Sequence, residues 1–349
     1  MRALTVIPLW PNTLALTNLE EPVVGDKQLL ARTIALGICG TDREIIAGHY
    51  GESPHGTDRL IIGHESLAEV MSAPAASGLA SGDLIVGIVR RPDPIPCPNC
   101  AAGEWDMCRN GLYTEHGIKG AHGYAVERFA IDPVFAVKVE RNMRDTGVLL
   151  EPASIVAKAW DHIERIAARS VWKPESVLVT GAGAVGLLAA MMGVQRGLEV
   201  TLFDRAEEGI KPRLAEALGA RYCIGDLANL GQRPDIIIEC TGAVSIVLAA
   251  LEITSPVGIV CLAGLSSGRR KVAIDSEVLG RTMVLENDVM FGTVNANRRH
   301  YTMAADALAA ADQEWLRMII TRRVPLSAWR EAFERRGQDV KTVIDFAVT

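Results

Sequence analysis

The sequence predicts an α/β protein, with a doubly wound parallel sheet in the middle of the chain and β-rich segments ahead of it. Three observations predict it. A β-branched apolar run, Val177 to Thr180, leads directly into a glycine-rich turn and an apolar helix. Strand-length apolar runs then recur with helical segments between them, the pattern of strand–helix–strand units. Upstream, short strand-like runs are bounded by glycine and proline.

The glycine turn is the most informative stretch. Gly181, Gly183 and Gly186 fit G-x-G-x-x-G between a strand and a helix running from Leu187 to Val194. Gly181 permits the tight turn, Gly183 lets a pyrophosphate approach the backbone, and Gly186 lets helix and strand pack closely. Ala184 and Val185 are the intervening residues of the motif, ahead of the helix, whose unpaired N–H groups and positive dipole end suit phosphate. Glu199 to Phe203 is the second strand and ends in Asp204, the acid expected on a ribose 2′-hydroxyl. A carboxylate there repels a 2′-phosphate, so NAD is expected over NADP. Arg205, Lys211 and Arg213 follow, either to hold a phosphate should Asp204 turn away or as a solvated helix face. A helix from Arg213 to Leu218 and strands at Tyr222 to Ile224, Ile236 to Cys240, Gly258 to Leu262 and Val289 to Gly292 continue the alternation. Thr241, just after one strand, and Asn295, just after the last, sit where such sheets bind ligands.

Composition excludes several classes. The 349 residues suit two domains, with 49% hydrophobic and 22% charged residues. A net charge of −6 and no Lys/Arg-rich block argue against a nucleic-acid partner. No apolar run is long enough for a membrane span, and the N-terminal residues read as a strand rather than a signal peptide, so a cytoplasmic protein is expected. Of seven cysteines, Cys97, Cys100 and Cys108 cluster, which in a cytosolic chain suggests a metal rather than disulfides. Cys223, Cys240 and Cys261 read as core. Cys39 lies between glycines after an apolar strand, either a small buried residue or a zinc ligand. His64 and Glu65 follow another apolar strand, Leu60 to Ile62.

These motifs, in this order, resemble the zinc-dependent medium-chain dehydrogenase/reductase superfamily, and more narrowly its glucose 1-dehydrogenase branch. The resemblance is carried by Cys39-Gly40-Thr41-Asp42, Gly63-His64-Glu65, Arg90-Arg91-Pro92, Tyr113-Thr114-Glu115, Gly120-Ala121-His122-Gly123-Tyr124, Leu150-Glu151-Pro152 and Asn295-Ala296-Asn297-Arg298-Arg299-His300-Tyr301. It implies a GroES-like β-rich catalytic domain, residues 1–155 completed by 301–349, and a Rossmann domain, residues 156–300. It implies a catalytic zinc on Cys39, His64 and Glu151, with Glu65 close by and able to exchange. Read without the resemblance, Glu151 before Pro152 simply starts a helix. Thr41 would hydrogen-bond the reacting oxygen and begin a proton relay. The zinc would act as a Lewis acid on the substrate hydroxyl, and hydride would pass to C4 of the nicotinamide.

The same resemblance implies a structural zinc lobe of four cysteines. Cys97, Cys100 and Cys108 match three positions; the first is Pro94, which has no ligand atom. Adjacent Asp93 could serve, or water, or the lobe holds no metal. Glu115, Asn295 and Glu286 are candidate substrate contacts, with His122 in the same segment as Glu115 and His116 read as an ordinary loop residue. Val89 and Glu286 depart from sugar-oxidising relatives, so Glu286 reads either as a specificity residue, favouring an amino sugar or a differently placed hydroxyl, or as an exposed loop acid. Trp160 and Tyr124 read either as walls of the site or as core. The expected activity is oxidation of C1 of an aldose to a lactone. The alternatives are a secondary-alcohol dehydrogenase for a polyol, amino sugar or cyclitol, and a nucleotide sensor without turnover. A homodimer or homotetramer is expected.

Overall fold

The structure, a computed structural model, describes residues 1–265, 273, 277, 280, 283–337 and 339–346. The chain divides into two compact units. One comprises Met1–Ser154, Asn295–Ala309 and Ile320–Thr349; the other comprises Ile155–Val294 and Ala310–Ile319.

In the first unit the central strand is Leu29–Ile38, three residues longer than its apolar pattern to Ala35 suggests. It pairs antiparallel with Glu65–Ser72, Arg128–Ile131 and Thr342–Asp345. Leu84–Gly87, Ala136–Val139 and Arg322–Pro325 complete a seven-stranded sheet. The C-terminal strand was expected to run from Thr342 to Val348; it ends at Asp345, and residues 347–348 lie outside the described residues. A small sheet of Ala15–Asn18, Arg2–Val6 and Leu60–Ile61 precedes His64. Leu29, Leu36, Ile45, Leu60 and Ile62 are wholly buried in the core, each contributing roughly 1.5–3 kcal/mol of apolar transfer.

Strand register brings distant residues together. Gly37 lies opposite Glu65 on one side and Val343 on the other, and Ile38 lies opposite Thr342. Cys39, Glu65 and Lys341 are thereby gathered at one end of the sheet. Position 37 must be glycine, because a Cβ there would stand 2.0 Å from Glu65 Oε2.

The second unit is a six-stranded parallel sheet. Its strands, in spatial order, are Arg221–Cys223, Glu199–Phe203, Ser176–Thr180, Ile236–Glu239, Ile259–Leu262 and Val289–Gly292. In chain order this is 3-2-1-4-5-6, the Rossmann arrangement, with its ligand crevice where the order reverses. The helix Ala184–Gln195 is buried along most of its length, as its continuous apolar sequence requires.

The expected boundaries need correction at the C-terminal side. Asn295 and Asn297 belong to the first unit, because their side chains donate to Glu115 and Asp106 there. The helix Gln313–Ile319 belongs with the Rossmann sheet, where Trp315 Nε1 donates to the Leu214 carbonyl at 2.9 Å.

Candidate active site

In the first unit, Cys39 follows the central strand directly and N-caps the helix Gly40–Ile46. Its Sγ accepts from Thr41 N at 3.2 Å, and Asp42 Oδ2 accepts from Cys39 N at 2.9 Å, closing a reciprocal cap. His64 Nε2 stands 3.1 Å from Cys39 Sγ, and its Nδ1 faces Asp42 Oδ1 at 3.4 Å. Asp42 therefore orients the imidazole, leaving Nε2 toward the sulfur, the outer-shell arrangement of metal-ligating histidines. Burial opposes a charge on His64, but Cys39 and Asp42 outweigh it and raise the imidazole well above its ordinary range. Asp42 is held low in spite of its burial by His64 and the Cys39 amide.

Two acids complete the constellation. Cys39, His64 and Glu65 offer ligand atoms within 4.8 Å of one another. Yet Glu65 is committed: Lys341 Nζ donates to both its oxygens, at 2.7 and 2.6 Å, with both side chains buried. Glu151 lies in the first turn of the helix Leu150–Ala167, so the helix-start reading holds as well. Among the described residues nothing hydrogen-bonds its carboxylate. Burial, with the Glu65 charge, pushes Glu151 up to about 7 against the pull of His64 and Lys341. Sulfur, imidazole and carboxylate are the donor set of a catalytic zinc with an open position, so these residues fit that ion.

A second cluster lies in the same unit. Cys97, Cys100 and Cys108 converge, with ligand atoms within 4.8 Å. The Arg109 and Cys100 amides draw the Cys97 thiol down to about 6, whereas burial raises Cys100 to about 11. Asp93 is buried, and its Oδ2 is 3.9 Å from Cys108 Sγ. Three sulfurs and a carboxylate fit a structural zinc.

Glu115 is buried with Arg90, whose Nε and an Nη nitrogen donate to Oε1 at 3.1 and 2.9 Å. Asn295 Nδ2 donates to the same oxygen. His116 is a half-buried neutral ring, driven down to about 3 by desolvation and the Arg91 charge, and it stacks on Tyr124. His122 Nδ1 accepts from Ile61 N at 3.2 Å, a structural role. Tyr124 is core, with its hydroxyl donating to the Ile88 carbonyl; Trp160 is core of the other unit, its ring under the Arg196 guanidinium.

The second unit carries the cofactor cradle. Gly181 has φ +89, and a Cβ at Gly186 would meet Gly181 O at 1.8 Å, so helix and strand touch there. A Cβ at Gly183 would meet nothing within 4 Å; the space over the helix N-terminus is open to a pyrophosphate. Asp204 is anchored rather than free. Its Oδ2 accepts from Ala182 N at 2.7 Å, its Oδ1 from Ala206 N at 3.0 Å, and Lys211 Nζ reaches both oxygens. A cavity of about 420 Å³ is lined by Gly181, Asp204, Arg205, Lys211, Thr241 and Ala243, among others.

Glu286 is not at this site. It ends the helix Met283–Glu286, pairs with Arg233 ahead of one strand, and its carbonyl accepts from Val257 N ahead of another. Residues just before parallel strands lie at the amino edge of the sheet, whereas ligands gather at the carboxyl edge. Both specificity readings of Glu286 are withdrawn.

The alcohol dehydrogenase GroES-like domain family matches residues 25–141, and the glucose dehydrogenase C-terminus family matches residues 144–346. The chain belongs to the glucose dehydrogenase branch of the zinc-dependent medium-chain dehydrogenases. It is 38% identical over 356 residues to glucose 1-dehydrogenase from Methanocella arvoryzae, and 39% identical over 350 residues to that from Thermoproteus tenax, with 99% of each chain covered. Among solved structures, Haloferax mediterranei glucose dehydrogenase in complex with NADP, Zn and gluconolactone matches with a TM-score of 0.92, at 30% identity over 100% of both chains. Among the described residues, this dehydrogenase has no helix long and apolar enough to cross a membrane.

Sequence reasoning passed over four residues of the dehydrogenase. Asp42 has no role assigned by the motif order, though its spacing from Cys39 is that of a capping pair. Arg90 likewise has none. Lys341 left no local signal. Glu239 ends an apolar strand, is wholly buried, and accepts from Thr241 N at 2.7 Å and Gly242 N, shaping the loop at Thr241.

Proposed function

We propose that this dehydrogenase oxidises C1 of an aldopyranose, D-glucose foremost, to the lactone, with hydride passing to a nicotinamide dinucleotide. The observation that carries the reading is the pairing of half-buried Cys39 with buried His64, with two acids beside them, only one of which is already committed to a cation. Cys39, His64 and Glu151 would hold the catalytic zinc, with Glu65 kept as a lysine-bound neighbour. When bound, that zinc acts as a Lewis acid on the substrate hydroxyl.

The remaining roles fall to the chain itself. Asp42 fixes the His64 ring. Thr41, on the first turn of the helix capped by Cys39, carries the hydroxyl through which the substrate proton leaves. Glu115 and Asn295 bind and orient sugar hydroxyls, Glu115 as acceptor and Asn295 as donor. Gly181, Gly183, Ala184, Val185 and Gly186 receive the pyrophosphate, and Thr241 borders the nicotinamide half of the crevice. Cys97, Cys100, Cys108 and Asp93 hold a structural zinc.

The test is a panel of initial rates with zinc-loaded enzyme on D-glucose, D-galactose, D-xylose, glucosamine, and cyclic and acyclic polyols. The highest kcat/KM is expected for a free aldose. Turnover of a cyclitol or amino alcohol without any aldose would overturn the substrate reading.

For the cofactor, NAD is the preferred form in this reading. Asp204 cannot turn away from a 2′-phosphate without breaking its two amide contacts, and it stays charged because those amides and Lys211 outweigh its burial. Lys211, a half-shielded cation, is the partner a ribose hydroxyl can displace. With Arg205 it offsets the repulsion, so NADP is used less well rather than refused. We expect kcat/KM for NAD to exceed that for NADP by roughly tenfold, about 1.4 kcal/mol of charge discrimination, and Lys211→Ala to widen the gap. A higher kcat/KM with NADP in the unmodified enzyme would refute this preference.

A further inference from the structure

We propose that Arg90 is the positioning residue of the sugar pocket: it turns Glu115 so that one carboxylate oxygen is left for a substrate hydroxyl, and it fastens that carboxylate to the cysteine loop. This rests on the reading of Glu115 as a hydroxyl acceptor.

The geometry starts from strand register. Arg90 and Glu115 face each other across the antiparallel pair Arg90–Arg91 and Thr114–His116. Arginine and carboxylate usually meet fork to fork, two N–H groups on two oxygens. Here both N–H groups go to Oε1, and Asn295 adds a third donor to that same atom. Among the described residues no donor reaches Oε2. Glu115 is only 4% exposed, yet Oε2 is not sealed off, so it is the acceptor of this carboxylate that a polyol hydroxyl can reach.

Arg90 is itself fixed from two further sides. Its guanidinium lies 3.8 Å over the Tyr113 ring. Its remaining Nη donates at 2.8 Å to the carbonyl of Asp106, in the turn Trp105–Met107 just before Cys108. The Asp106 carboxylate accepts from Asn297 at 2.8 Å, and Asn295 two residues earlier takes Glu115. Arg90 thus closes a frame of Glu115, Asn295, Asn297 and Asp106. One edge of that frame is the loop that carries Cys97, Cys100 and Cys108. Lysine keeps the charge at position 90 but cannot bond Glu115 and Asp106 from one planar group.

The experiment compares kcat and KM for D-glucose and its 2-, 3-, 4- and 6-deoxy analogues, at saturating cofactor, in the unmodified enzyme, Arg90→Lys, Arg90→Met and Glu115→Gln. Cofactor KM and zinc content are measured alongside. The unmodified enzyme is expected to discriminate against one deoxy sugar by about 30-fold, the effect of one hydrogen bond to a charged group. In Arg90→Lys that discrimination should fall to about threefold or less and glucose KM should rise about tenfold, with cofactor KM and zinc content unchanged. Adding Glu115→Gln should cost nothing more, as for two residues acting as one unit. If Arg90→Met does not fold, the lysine variant carries the test. Retained discrimination in Arg90→Lys overturns the proposal, as does an equal loss toward every sugar with a changed cofactor KM. So does an unmodified enzyme that oxidises glucose and penalises no deoxy sugar. An enzyme that turns over no aldose brings down the substrate reading first, and this inference with it.

Discussion

Cys39→Ala is expected to abolish sugar oxidation while leaving the nicotinamide cofactor bound. Among the described residues, Cys39 supplies the sulfur that faces His64 Nε2, 3.1 Å away. Without it, and with Glu65 committed to Lys341, the donor set drops to one imidazole and one carboxylate, below the three protein ligands of a catalytic zinc. Lewis-acid polarisation contributes several kcal/mol to such a transition state, and each ~1.4 kcal/mol is tenfold, so kcat/KM should fall on the order of 10⁴-fold. The helix Gly40–Ile46 also loses its cap, since Thr41 N donates to this sulfur; that costs about 1 kcal/mol, too little to unfold the unit. Gly181, Gly183, Gly186 and Asp204 belong to the other compact unit, so NAD titration by fluorescence should give an unchanged Kd. Zinc analysis should show the catalytic equivalent missing. A variant that keeps more than a tenth of the activity would rule out the metal mechanism. A protein that merely senses nucleotide would show no activity for the substitution to remove.

The Rossmann half was legible because its signals are local. Val177 to Thr180, the three glycines and Asp204 are neighbours in sequence, and their roles follow from one strand, one turn and one helix. What Asp204 bonds to was not legible, because Ala182 and Lys211 meet it only after the turn closes. In the other half the candidate ligand residues are suggested by the order of motifs, and their mutual geometry depends on register. Gly37 opposite Glu65 and Ile38 opposite Thr342 cannot be read from residues 30 to 65 alone. Glu286 was misplaced because counting along a chain does not say which edge of a sheet a residue has reached. The helix Met283–Glu286 had already come back to the amino edge to start the last strand. Asn295 was named as a contact, yet it sits in the first unit, since its side chain is taken by Glu115.

Among the ion pairs of the described residues, the one most distant in sequence should be costly to break. Lys341 and Glu65 are 276 residues apart, both almost wholly buried, and Nζ bonds both oxygens. Removing one member of a buried pair leaves the other charge without a partner, a loss of about 3–5 kcal/mol. Lys341→Met should therefore destabilise the zinc-free enzyme by that amount, read as a lower urea midpoint with an unchanged slope. Adding Glu65→Gln should restore more than half of the loss, because the orphaned charge goes with it. The penalty should also shrink when zinc is present, since the ion gives the released Glu65 a cation. The pH dependence has a definite sign. Burial opposes the lysine charge, but Glu65 outweighs it and lifts Lys341 above its ordinary 10.5. A raised folded value means that Lys341's own contribution is complete below 10.5 and is lost only as pH climbs through the raised value; its pull on Glu151, which stands at about 7, makes the penalty grow as pH rises through neutrality. A midpoint shift worth less than about 1 kcal/mol, the range of an exposed pair, would mean that Lys341 does not neutralise Glu65. The argument that Glu65 is withheld from the metal, leaving Glu151 as its carboxylate, would then fail with it.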